Sequence, residues 1–143
     1  MSQTHARGRA FRITVLITLV LLVLQYILGM IANLEAQLPS GNALGWVFGH
    51  SIIIQLHIYN GTLLIVVALV ALVLSIVAHH LAGAIAAMAG LVLLILAWLS
   101  GVQFLSSQDN SSSLLMALGF MGAFVAYLVG YYLSMPHVQK PSA

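Results

Sequence analysis

Four long apolar runs, separated by short polar stretches, order this chain: residues 13–34, 51–78, 81–105 and 113–133. Each is at least as long as the roughly 20 residues that carry a helix across about 30 Å of hydrocarbon. Backbone groups in lipid must be satisfied within the segment, so the runs predict helices rather than strands. Leu, Ala, Val and Ile dominate them, and no proline interrupts any. The first run is too long for the apolar region of a cleavable signal peptide and lacks a small-residue cleavage site. The expected architecture is all-α: an integral membrane four-helix bundle over residues 13–134, between tails at 1–12 and 135–143.

Turn-forming residues mark the breaks. Leu38-Pro39-Ser40-Gly41-Asn42 follows the first run, and His79-His80 with Gly83 predicts a tight hairpin between the second and third. Ser106-Ser107-Gln108-Asp109-Asn110 separates the third from the fourth, and Pro136 stands beyond the last. The second helix is able to begin early, near Ala43, with an interfacial turn holding Trp46 and Phe48.

Composition removes whole classes of function. Of 143 residues, 62% are hydrophobic and 4% charged, where a soluble domain carries about 25% charged residues. That excludes a soluble globular enzyme. The pI near 9.3 reflects scarcity of acids, since four Lys/Arg against two Asp/Glu make no nucleic-acid-binding surface. With no cysteine, disulfides, thiolate metal sites and covalent haem attachment are excluded.

Charge placement orients the spans. Arg7, Arg9 and Arg12 precede the first run and Lys140 follows the last, while Glu35 and Asp109 fall in the two loops at the opposite end. The positive-inside rule then puts both termini and the His79-His80 hairpin in the cytoplasm of an inner-membrane, multi-pass protein. Trp46, Tyr131 and Tyr132 stand where interfacial aromatic belts are expected. Gln25-Tyr26-Ile27 and Gln103-Phe104-Leu105 occupy corresponding outer ends of the first and third runs. This hints at two helical hairpins related by pseudo-symmetry.

His57 is the residue with most chemistry to offer. An ionisable side chain within a span marks a functional site by default, and imidazole is the common protein ligand of haem iron. On one continuous helix His50, seven residues earlier, shares its face, roughly 10 Å away along the axis. Gly61, one turn after His57, removes bulk where a flat macrocycle would lie. Asn60 is placed to orient a ring nitrogen or a cofactor edge. A hydrogen-bonded packing histidine fits the same sequence. Gln25 and Gln103 read as interhelical hydrogen-bonding groups, and Gly83, Gly90, Gly119 and Gly122 as close-packing positions. His79 and His80 read as a polar helix end beside a C-terminal dipole. Met116 carries a thioether able to serve as a second axial ligand. No run contains an Asp or Glu, which counts against a proton pump or ion-coupled transporter.

Gln25-x-x-x-Gly29, then an outer loop, then Leu56-His57-x-x-x-Gly61, resembles one half of the heme A synthase family across roughly residues 23–133. The resemblance implies a four-helix unit holding one b-type haem near the outer leaflet. His57 would be the axial ligand, His50 a propionate partner and Met116 the substitute sixth ligand. The departures are specific. Ile54 stands where the family pattern has glutamate, and Leu115 or Leu118 where the fourth-helix histidine belongs; the outer-loop cysteine pair is missing. These speak against heme A synthesis by this chain alone. The expected roles are haem b binding for electron transfer or haem handling, or a cofactor-free accessory subunit. The expected partners are the lipid bilayer and a second copy or a larger membrane complex.

Overall fold

The computed structural model describes residues 2–35, 38–39 and 43–135, and these are helical throughout apart from short turns. The helices are α1 (Ser2–Glu35), α2 (Ala43–His50), α3 (Ile52–Val77), α4 (Leu81–Ser107) and α5 (Asn110–Leu133). Four of them, all but α2, are long and apolar enough to cross a membrane, making this a multi-pass membrane protein. Residues 40–42 of the turn-rich loop, and the C-terminal tail with Pro136, His137 and Lys140, lie outside the described residues.

Two boundaries differ from expectation. The N-terminal tail is helical from Ser2 and continuous with the first span. Phe11, placed by sequence in that tail, is a buried core residue. The early start near Ala43 is a separate helix. Ser51 leaves helical geometry (φ −128°, ψ 98°) and caps α3, its hydroxyl accepting from the Ile54 amide.

Each long helix packs on two neighbours. α1 contacts α3 and α5, α4 contacts α3 and α5, and the pairs α1/α4 and α3/α5 are the diagonals of a square bundle. The core combines Phe11, Val15 and Leu22 of α1 with Leu64 and Ala68 of α3, and Leu91 of α4 with Tyr127 of α5. The outward surface is Leu, Ile and Val, as hydrocarbon requires.

Small residues bring α4 and α5 together. The Tyr127 ring lies over Gly90, where a Cβ would come within 2.5 Å of it. The phenol donates to the Ala87 carbonyl at 3.3 Å. A Cβ on Gly119 would stand 2.9 Å from the Leu93 carbonyl oxygen, which is backbone and has little freedom to retreat.

The turns fix the two ends. At the α3–α4 turn His79 adopts φ 54°. The His79 amide donates to Ile76 and the His80 amide to Ser75, satisfying the last carbonyls of α3 by the double-bonded left-handed stop. His80 caps the start of α4 rather than answering the dipole of α3: its Nδ1 accepts from the Gly83 amide at 2.9 Å. The Phe11 ring lies 6.1 Å from that of His80, so the arginine-bearing end of α1 and the α3–α4 turn share one end of the bundle. At the other end the Gln108 side chain donates to the Pro39 carbonyl at 2.7 Å, joining the loop after α1 to the α4–α5 turn. The α1 arginines and Asp109 thus lie at opposite ends of the bundle.

Gly119→Ala should destabilise the bundle by about 1–3 kcal/mol through overpacking. Gly8→Ala, where an added Cβ meets nothing, should be neutral or stabilise by up to ~1 kcal/mol. Helical circular dichroism during denaturant unfolding in detergent separates the two.

Asp109, exposed at the start of α5, is held below the ordinary carboxylate pKa chiefly by the Ser111 hydroxyl that donates to it. A lowered folded-state pKa contributes stability above the unfolded value and loses it as pH falls through the folded one. The Asp109 carboxyl should titrate below a model aspartate by carbon-13 NMR, and Ser111→Ala should move its midpoint upward.

Candidate functional site

The polar residues singled out in the first two spans meet between α1 and α3. His57 lies five residues into α3, about 7.5 Å along its axis from Ile52, and its ring turns toward α1. Gln25 donates its Nε2 amide hydrogen to His57 Nε2 at 3.1 Å. Asn60, buried one turn from His57, donates from Nδ2 to Gln25 Oε1 at 2.8 Å and to the Leu21 carbonyl at 3.0 Å. The direction of the chain is set by chemistry. An amide nitrogen only donates, so His57 Nε2 is the acceptor and the ring proton resides on Nδ1. Nδ1 is buried and has no hydrogen-bond partner.

The glycines complete the arrangement reciprocally. A Cβ on Gly29 would come within 2.9 Å of His57 Cε1, and one on Gly61 within 3.1 Å of Gln25 Nε2. Each helix therefore presents a long polar residue and, four positions on, a glycine. Each polar side chain lies over the glycine of the other helix. The motifs Gln25-x-x-x-Gly29 and His57-x-x-x-Gly61 form a two-way clasp. The space that Gly61 leaves on α3 is filled by the Gln25 amide, with Trp98 Cδ1 3.8 Å from the same point.

The other sequence-predicted site residues lie apart from this cluster. His50 ends α2, across the break at Ser51, so the seven-residue spacing no longer puts it on one helical face with His57. It is exposed, donates from Nδ1 to the Trp46 carbonyl at 3.0 Å and stacks on the Trp46 indole at 5.3 Å. Met116 belongs to α5. A Cβ on Gly101 of α4 would lie 3.2 Å from its sulfur, so it packs in the α4–α5 interface and not beside His57. Gln103 forms no interhelical bond by its side chain: it is exposed, and only its backbone carbonyl accepts, from Ser106 and Ser107. A further interhelical bond had no sequence signal. Trp98 Nε1 of α4 donates to Thr62 Oγ1 of α3 at 3.2 Å.

These contacts bear on haem. A ligand imidazole must offer a free nitrogen to a gap wide enough for a porphyrin. Here Nε2 is held by Gln25, and the α1 backbone at Gly29 lies directly against the ring. As packed, the Nε2 lone pair is taken by Gln25, and the buried Nδ1 carries the ring proton without a partner. Among the described residues, no group of three or more His, Asp or Glu side chains is placed to hold a metal ion. No family model matches the chain. Neither a curated protein sequence nor a solved structure matches it.

Asn60→Leu removes two interhelical hydrogen bonds and should destabilise by about 1–2 kcal/mol, the upper range for such bonds in membranes. Gly29→Ala pushes the His57 ring from its seat and should cost about 1–3 kcal/mol. Unfolding in detergent checks both, and nitrogen-15 shifts of the imidazole should report a change at His57 in each variant.

Proposed function

We propose that this is a small inner-membrane protein that works by packing: a cofactor-free structural or accessory subunit of a larger membrane complex. The observation that carries this reading is the clasp. The one intramembrane imidazole of α3 is engaged by Gln25 through Nε2 and seated on Gly29, an arrangement that holds helices together and occupies the ring's one lone pair. The exposed Gln103 amide, in the last turns of α4, is available to a neighbouring protein. Both termini are assigned to the cytoplasm, because Arg7, Arg9 and Arg12 lie at that end and Asp109 at the other.

The competing reading is one b-type haem on His57, as the resemblance to a half-size heme A synthase implies. One observation favours it: the buried, unpartnered His57 Nδ1. A bound haem would supply one-electron chemistry set by its ligand and surroundings. It would require Gln25 to release the ring and α1 to part from α3 at Gly29.

Full-length protein extracted in mild detergent and supplied with haem should retain no Soret-absorbing species, and should elute with a stoichiometric partner protein. A retained Soret band that vanishes in His57→Ala, on a chain eluting without a partner, would establish the haem reading instead.

A further inference from the structure

At the arginine-bearing end of the bundle, a cleft of about 330 Å³ lies between α1 and the end of α5. Arg9, Arg12, Ile13 and Leu16 line it from α1, with Tyr131 from α5 and Met135 just beyond it. The α1 residues follow an i, i+3, i+4, i+7 spacing, which is one continuous stripe on a helix. The stripe changes character along its length. Two guanidinium groups occupy the end nearer the helix start, and Ile13 and Leu16 continue it toward the membrane interior over roughly 10 Å.

No carboxylate among the described residues neutralises these arginines. Asp109 belongs to the α4–α5 turn at the far end of the bundle. The sequence position of Glu35 puts it about 35 Å up α1 from Arg12. Among the described residues, Arg9 and Arg12 form no ion pair. Guanidinium groups favour phosphate oxygens, which they can engage two at a time. Basic recesses between spans at the cytoplasmic surface suit anionic headgroups. An apolar cleft between α3 and α4, of about 470 Å³ and lined by Leu72, Ile76, Ile85 and Met88, has no such feature and distinguishes no headgroup.

We infer that the α1–α5 cleft is a binding site for one anionic phospholipid. Its phosphate sits between Arg9 and Arg12, and an acyl chain runs along Ile13 and Leu16 beside Met135. The charged head and apolar floor, stacked on one stripe in the order of a phospholipid's own polarity, select a lipid over a free anion. The site stands apart from the α1–α3 clasp and does not depend on what His57 does.

The test is native mass spectrometry of the full-length chain in detergent, titrated with phosphatidylglycerol or phosphatidylcholine matched in acyl chains. One phosphatidylglycerol per chain should be retained about 10-fold more than phosphatidylcholine. Arg9→Gln with Arg12→Gln should bring the two lipids to parity. Arg7→Gln, which removes one positive charge against the double variant's two and from a residue that does not line the cleft, should keep most of the preference. Helical circular dichroism verifies that each variant is folded, and the wild-type comparison stands by itself if one is not. Equal retention of both lipids by the wild type overturns the inference. So does an equal loss in Arg7→Gln, which would mean diffuse charge, or displacement of phosphatidylglycerol by equimolar inorganic phosphate, which would mean a free-anion site.

Discussion

A hydrogen-bonding side chain in hydrocarbon must find its partner inside the protein, and the pairing of α1 with α3 follows from that constraint. Gln25, His57 and Asn60 have no water to turn to along the buried seam. They join in a directed chain that runs from Asn60 through Gln25 to His57, with His57 Nδ1 left without a partner among the described residues. Lipid tails are as apolar as leucine, so apolar burial gives two spans little reason to prefer each other over the bilayer. Polar bonds and close backbone approach supply the preference, and here both come from five neighbouring positions, Gln25, Gly29, His57, Asn60 and Gly61. The α4–α5 interface reaches closeness by another route, with the Tyr127 ring set over Gly90 and the backbone of α4 against Gly119. Two differently built pairs then join along α1–α5 and α3–α4 to close the square.

Much of this was legible in the residues. The spans were, because a run of Leu, Val and Ile long enough to cross a bilayer has few other uses. The close-packing glycines were, since Gly83, Gly90 and Gly119 are all buried against neighbours. The end-to-end separation of charge was also readable. What escaped was whatever depended on the register of one helix against another. Gln25-x-x-x-Gly29 and His57-x-x-x-Gly61 read equally as room for a flat ligand or as seats for each other's side chains. Only the relative height of α1 and α3 distinguishes them. The break at Ser51 was readable as a cap, serine being a favoured first residue before a helix, but the apolar run across it masked the signal. Gln103 occupies the position matching Gln25 in the third run, yet it is exposed and its side chain has no hydrogen-bond partner among the described residues. The correspondence between Gln25 and Gln103 therefore does not extend to their chemistry.

The α3–α4 turn shows how a short connection is made without glycine or proline. His79 takes the left-handed conformation that ends α3, a geometry in which histidine is over-represented among side-chain-bearing residues. His80 then uses its ring to begin α4. The following glycine is required: a Cβ on Gly83 would come within 2.6 Å of His80 Nδ1 and 2.9 Å of Phe11. The turn thereby also anchors the start of α1, and the arginine-bearing end of the bundle is held from two sides.

The reciprocal seating of Gln25 on Gly61 and of His57 on Gly29 has a consequence for how such a chain can drift over generations. Neither seat tolerates bulk while its occupant stays, so substitutions are admitted in couples: a shorter residue at position 25 licenses a larger one at 61, and likewise 57 with 29. Descendants of this sequence should therefore carry correlated changes across the two helices, and that correlation would fix the pairing of α1 with α3 from an alignment alone.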